Sequence, residues 1–402
     1  MSNVQIMTGN SAAAWGAKLS KVQVISAYPI TPQTSVTETI ASWVEKGELK
    51  AEYVRVESEH SVMTVCVAAS TVGARTFTST SSHGLLYMHE QLHWAAGSRL
   101  PIVICCVNRG VGAPWSIFND QQDSIAQRDT GWIQLYCRDN QEIIDTVIQA
   151  YRIAEEVYCP VMVCYDGFVL SHTMMPVEIP DPEKVCAFLP PYKPHTMLCA
   201  EAPRNINPVI FPWQRRDADG VLRDGYMDMR WKLQHALEGA VGVIGRVSRD
   251  YAALFGRDHG GLLWQYKTDD APEVLLTGMG SIATEATMAA DQLREQGIRA
   301  GVVGIRAYRP FPREAVREAF KAAPAIVVFE KNISYGYEGA LCSDIKAALY
   351  GTGIASPIHN FIAGLGGRDV KSRELAEAVR DSLAAIAGGT REKQTWLNCV
   401  TE

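Results

Sequence analysis

Tyr53-Val54-Arg55-Val56-Glu57-Ser58-Glu59-His60 changes character half-way along. Apolar and polar side chains alternate through Val56, the period of a strand with one covered face. Glu57, Glu59 and His60 then place three ionisable groups in four positions, and residues 61–69 continue as small, mostly apolar sequence that suits a helix. The stretch predicts a strand, a carboxylate-bearing tip and a helix. In open α/β sheets, ligands bind in the crevice beyond the carboxyl ends of the strands. Glu59 is therefore the candidate catalytic carboxylate.

The same unit repeats on both sides. Residues 22–27 read as a short buried strand, followed by Tyr28-Pro29-Ile30-Thr31-Pro32 and a helix carrying Val36, Ile40, Trp43 and Val44. Thr31 suits the N-cap of that helix and Pro32 its first turn. The same helix start, with free N–H groups and a favourable dipole, suits a substrate carboxylate touching the Thr31 hydroxyl. Residues 75–80 predict a strand, Ser81-Ser82-His83-Gly84 a polar turn, and residues 85–96 one helix. His89 and His93 lie one helical turn apart, but no third ligand is close in sequence, so packing is the simpler reading. The apolar run 101–107 is a buried strand ending at Asn108-Arg109-Gly110. Arg109 there is a carboxylate clamp or a surface ion pair. Asn119-Asp120-Gln121-Gln122-Asp123 could meet a hard cation, yet nothing nearby would hold accompanying phosphates. Asp139 with Glu142 resembles a capping box, and residues 160–166 form another buried strand. Strands alternating with helices predict a parallel sheet covered on both faces.

Composition narrows the class. The chain has 402 residues, 47% hydrophobic and 20% charged, with a net charge of −6. That supports a large core and disfavours nucleic acid as the main partner. Its start shows no signal-peptide pattern and no apolar run is long enough for a bilayer, so a cytoplasmic location without membrane contact is expected. Ten cysteines are scattered without C-x-x-C spacing, which reads as buried thiols rather than metal ligands.

The expected domains are 1–175, a connector and helical segment at 176–268, a second α/β domain at 269–390 and a tail at 391–402. Nine prolines between Pro176 and Pro212 set the connector apart. In the second domain, strands are expected at 273–277, 300–305 and 325–329. Gly278-x-Gly280 after a strand partly matches a dinucleotide fingerprint, and Arg306 would suit NADP. An NAD(P) dehydrogenase is therefore one alternative, and a non-catalytic scaffold another.

Several motifs occur in an order that resembles one family. They are Ala27-Tyr28-Pro29-Ile30-Thr31-Pro32, Glu57-Ser58-Glu59-His60-Ser61, Asn108-Arg109, Asn119-Asp120, Gln127-Arg128-Asp129-Thr130-Gly131-Trp132, Arg309-Pro310-Phe311-Pro312 and Gly364-Leu365-Gly366-Gly367-Arg368-Asp369. Together they resemble the α subunit of the 2-oxoacid:ferredoxin oxidoreductases, the group that includes pyruvate:ferredoxin oxidoreductase and phenylglyoxylate dehydrogenase. The resemblance implies a thiamine-diphosphate-enzyme pyrimidine-type domain followed by a transketolase C-terminal-like α/β domain. It implies that Glu59 contacts the aminopyrimidine of thiamine diphosphate and promotes loss of the C2 proton, with Pro29 and His83 beside the cofactor. Thr31 and Arg109 would contact a 2-oxo carboxylate.

It further implies coenzyme A as co-substrate and electrons passing to iron–sulfur clusters in partner subunits. The acceptor would be ferredoxin or an NAD-reducing subunit. This chain lacks a Gly-Asp-Gly motif for magnesium and diphosphate and lacks clustered cysteines. The resemblance assigns these to a β subunit and a ferredoxin-like δ subunit, with a γ subunit completing the complex. His83, His93, Trp94 and Trp115 are bulkier or more polar than a pyruvate site suggests, which keeps an aromatic 2-oxoacid open beside pyruvate.

Overall fold

The computed structural model describes residues 3–194, 214–216, 220 and 222–400; Cys199, Pro203, Pro208 and Pro212 lie outside them. Its centre is a seven-stranded sheet. The strand order is Ala307–Arg309, Ile133–Tyr136, Val161–Asp166, Val103–Asn108, Thr76–Thr80, Val24–Ala27 and Glu52–Arg55. All neighbours pair in parallel except Ala307–Arg309, which is antiparallel. The continuous apolar strands Val103–Asn108 and Val161–Asp166 are buried at every position, as expected when helices cover both faces. Glu52–Arg55 differs: it is the sheet's edge, and its residues are exposed or half-buried. The opening stretch therefore contributes a tip to the sheet rather than its middle.

The helix Gly9–Leu19, unread in the sequence, packs along Asn140–Val157. Its buried face is built of Ala12, Ala13, Ala14 and Ala17, which lack the bulky periodic side chains that mark a helix. Gly16 permits the approach, because a Cβ there would lie 2.7 Å from Val147. The expected single helix at 85–96 is two, Ser82–Tyr87 and His89–Gly97. Val4–Met7 pairs antiparallel with Met175–Glu178, so the start of the proline-rich stretch is strand.

The second sheet has six strands in the order Leu263–Tyr266, Ala300–Ile305, Val274–Gly278, Ile326–Glu330, Ile358–Ile362 and Glu392–Trp396. Glu392–Trp396 extends it in parallel, where the sequence suggested a tail. At Glu330 the fully buried carboxylate accepts the N–H groups of Leu341 and Cys342 at 2.8 and 2.9 Å, plugging the start of the helix Ala340–Leu349.

One continuous segment belongs to both sheets. Ala300–Ile305 lies in the second and Ala307–Arg309 in the first, with Arg306 between them. Arg306 is fully buried and binds Glu142 Oε1 at 2.7 Å, Gly261 O at 2.9 Å and Thr146 Oγ1 at 2.8 Å. A buried pair of this kind is costly to break from one side, because Glu142 Oε1 would lose its donor and keep only Arg138 on the other oxygen. Arg306→Ala is expected to destabilise the chain by about 3–5 kcal/mol, read as a shift in the urea unfolding midpoint.

Candidate active site

Glu59 opens the helix Glu59–Thr71, capped by Ser58, whose hydroxyl accepts the Ser61 N–H at 3.3 Å. Glu57 is exposed and already takes the Ser61 hydroxyl. Glu59 is only 8% exposed and has no hydrogen-bond partner among the described residues. Its carboxylate lies against Gly84: a Cβ there would sit 2.7 Å from Glu59 Oε1 and 2.5 Å from Thr80 Oγ1. The buried Thr80 hydroxyl also has no partner. A mostly buried carboxylate with no protein donor is unusual. With Thr80 and Gly84 it forms a polar cradle.

Thr31 does not cap its helix. That helix is Thr34–Glu45, with Gln33 at the N-cap position and no side-chain cap bond. The preceding turn closes locally with the Gln33 N–H on Ile30 O at 2.9 Å, and side chains tie it to its surroundings. Asn10 Nδ2 donates to Pro32 O at 2.7 Å, and the Gln33 amide bridges Tyr28 O and the Ser79 hydroxyl, both at 2.9 Å. The exposed Thr31 hydroxyl is left without a partner among the described residues, and Pro29 is exposed beside it. Arg109 is not a surface ion pair. It is 3% exposed and meets no carboxylate through its guanidinium. Nη1 donates to Thr31 O at 2.8 Å and Nε to Ser116 O at 3.2 Å, while the exposed Trp115 ring lies 5.2 Å away. Burial draws the Arg109 pKa below its ordinary value, with Asp123 opposing. The remaining N–H groups keep a forked donor set for a carboxylate.

The loop after Arg109 is braced from two sides. His83 is exposed, and its Nε2 accepts the Gly112 N–H at 3.1 Å. From the second domain, the Gly366 N–H reaches Asp120 Oδ2 at 3.2 Å and the Gly367 N–H reaches Asn119 O at 2.6 Å. Asp120 also takes the Gln122 N–H at 3.0 Å. Asp123 is fully buried and accepts the N–H groups of Ser82, Arg109 and Ser124, together with Asn108 Nδ2. Burial pushes its pKa up to about 7. These aspartates are engaged with donors of the protein, and among the described residues no group of three metal-binding side chains occurs.

The Gly278-x-Gly280 turn is also occupied from within. Asp166, at the end of its strand in the first sheet, accepts the Ser281 N–H at 2.9 Å and faces Lys331 Nζ at 3.3 Å. Burial alone would raise the Asp166 pKa; Lys331 and Ser281 outweigh it and hold the carboxyl below its ordinary value. The helix start where a dinucleotide pyrophosphate would lie already holds an anion. Arg306 is spent on Glu142, so nothing here supports the NAD(P) alternative.

His93 does not join Glu59. It lines a separate cleft of about 880 Å³ with Arg128, Arg230, Arg309 and Asp344. Its ring lies 4.9 Å from that of His89, which meets Gln127 Oε1. Trp94 is half exposed on the same helix. Of the four bulky residues singled out, His83 and Trp115 adjoin Arg109 and its loop. Asp123, Thr80 and Gly84 were missed as site residues; the only signal was Asp123's place in an acidic run.

Residues 15–236 match the family described as "Pyruvate flavodoxin/ferredoxin oxidoreductase, thiamine diP-bdg", and residues 272–375 match "Pyruvate:ferredoxin oxidoreductase core domain II". The chain belongs to the pyruvate flavodoxin/ferredoxin oxidoreductase family. Pyruvate synthase subunit PorA of Methanocaldococcus jannaschii is 48% identical over 380 residues, covering 93% of this chain and 94% of that one. Ketoisovalerate oxidoreductase subunit VorA of Pyrococcus horikoshii is 42% identical over 391 residues, covering 97% and 96%. The fold is shared with a 2-oxoglutarate:ferredoxin oxidoreductase from Magnetococcus marinus, solved with 2-oxoglutarate, coenzyme A and succinyl-CoA bound. Its TM-score is 0.70 at 19% identity, over 95% of this chain and 66% of that chain. A split gene transketolase aligns with TM-score 0.54 at 16% identity, over 94% and 98%.

The thiamine diphosphate of this oxidoreductase family fits the cradle chemically. Glu59, a carboxylate with no donor from the protein, would share a proton with a ring nitrogen of the aminopyrimidine. Gly84→Ala is compatible with the helical backbone but would push Glu59 aside. Turnover of the assembled complex is expected to fall about 100-fold, the scale of a displacement near 1 Å, with a lowered thermal midpoint from the overpacking against Thr80.

Proposed function

We propose that this chain is the α subunit of a CoA-acylating 2-oxoacid oxidoreductase and holds half of a site completed by a partner chain. The observation that carries the reading is a carboxylate at a strand end, Glu59, mostly buried and without a protein donor. It is supported at two other strand ends, where Arg109 Nη1 meets Thr31 O at 2.8 Å beside the unengaged Thr31 hydroxyl. Residues 1–175 supply these groups, and residues 269–390 brace their loop through Gly366 and Gly367.

Thiamine diphosphate, when bound, supplies the carbon nucleophile and the electron sink for decarboxylation of a 2-oxoacid. Glu59 holds a proton at the far ring nitrogen of the aminopyrimidine, and its burial strengthens that hydrogen bond. Arg109 receives the substrate carboxylate through its free N–H groups. Thr31 donates its hydroxyl to the same substrate. Trp115 walls this side of the pocket and limits water.

Magnesium and diphosphate ligands, iron–sulfur clusters and the final acceptor belong to partner subunits in this reading. It rests on the names of the relatives, which are subunits of larger enzymes. Among the described residues no helix is long and apolar enough to cross a membrane. The described cysteines are all free thiols, which suits the reducing cytoplasm.

The test is anaerobic purification of the assembled complex and measurement of CoA-dependent oxidation of pyruvate, 2-oxoisovalerate and phenylglyoxylate. The last is included because of the Trp115 face. Glu59→Ala is expected to lower kcat at least about 100-fold, the usual yield of a positioned acid or base. Arg109→Ala is expected to act mainly on KM. Full turnover in both variants would instead leave the chain a scaffold.

A further inference from the structure

Resting on the reading above, we infer that Asp123 is the positioning residue that sets the Glu59 cradle and the Arg109 clamp in register. Asp123 touches neither cradle nor substrate. It lies on the short helix Gln122–Ile125, fully buried, and no cation pairs with its carboxylate. A carboxyl buried without a cation is costly to ionise. The arrangement of its donors accounts for two acceptor oxygens at this position.

Oδ2 accepts two backbone N–H groups, from Ser82 at 2.9 Å and from Arg109 at 3.0 Å. Oδ1 accepts Asn108 Nδ2 at 2.7 Å and the Ser124 N–H at 2.8 Å. An asparagine has one acceptor oxygen, so in either orientation its amide faces two donors with a third. Only the carboxylate satisfies all four.

The two backbone donors start two different lines of contact. Ser82 has φ 49°, a conformation that residues with a side chain seldom adopt. Two residues further along, Gly84 lies against Glu59. In the other direction, Arg109 carries its guanidinium to Thr31 O. The strand ends after Thr80 and Asn108 are thus tied by one side chain. A shift of Asp123 moves the wall of the cradle and the root of the clamp together.

Glu330 provides a control, since it is a fully buried carboxylate that accepts backbone N–H groups but bonds neither Ser82 nor Arg109. In the assembled complex, D123N and E330Q are compared by thermal unfolding, kcat and KM for the best 2-oxoacid. D123N is expected to raise KM about tenfold or more and to lower kcat, whereas E330Q, with a comparable loss of thermal midpoint, leaves KM within about twofold. In an R109A background, D123N is expected to add less than about threefold to KM, because both changes remove one contact.

KM effects that multiply in the double variant, or D123N parameters within about twofold of wild type, would overturn the role. S82A keeps the N–H bonded to Asp123 and loses the hydroxyl's contacts with Gly110 O and His83 Nδ1. It is expected to cost less than about threefold in kcat; a tenfold loss would assign the turn to Gly110 and count against Asp123. A wild-type complex with no CoA-dependent 2-oxoacid turnover would sink the functional reading itself. Wild-type turnover with D123N unaffected sinks only the positioning role.

Discussion

Parallel strands cannot be joined by tight turns, so each returns through a crossover and all their carboxyl ends collect on one edge. In the first sheet that edge carries Ala27, Arg55, Thr80, Asn108 and Asp166. Thr31, Glu59, Gly84 and Arg109 follow four of those ends directly. The second sheet brings Gly278 and Glu330 to its own carboxyl edge, and Asp166 reaches across to Ser281 and Lys331. The two sheets are therefore joined near their carboxyl edges, and Arg306 locks the segment that passes between them.

The buried carboxylates divide into two groups. Glu142, Asp145, Asp166, Asp123 and Glu330 are each matched by arginine, histidine, lysine or backbone donors. They spend their charge holding segments together. Glu59, at 8% exposure, is less enclosed than these and has no donor among the described residues. A carboxylate left without a protein donor is expected of a group whose partner arrives with a ligand or another chain.

Much of the architecture was legible. The continuous apolar runs at 101–107, 160–166, 273–277 and 325–329 marked central strands, because burial on both faces removes alternation. The helix at 9–19 was not legible, since its alanines pack closely without a strong periodic signature. The strand at 392–396 was missed for a different reason: it is polar and lies at an edge, where pairing rather than burial decides it. Thr31 and Pro32 matched the local rules for a helix start, yet the helix begins at Thr34, after a turn that Asn10 and Ser79 tie in from other elements. Local and long-range hydrogen bonds together fix this turn.

By itself the sequence determined that Glu59, Thr31 and Arg109 sit at strand ends, because hydrophobic period and turn residues are local properties. The motifs it carries also determined the family. Only the tertiary structure decided which polar groups remain unpaired. Glu57 is taken by Ser61, Asp166 fills the glycine turn and Arg306 is committed to Glu142, while Glu59, Thr80 and the Thr31 hydroxyl are left over. Whether a buried polar group has a partner depends on chain segments distant in sequence, and a local reading cannot supply that.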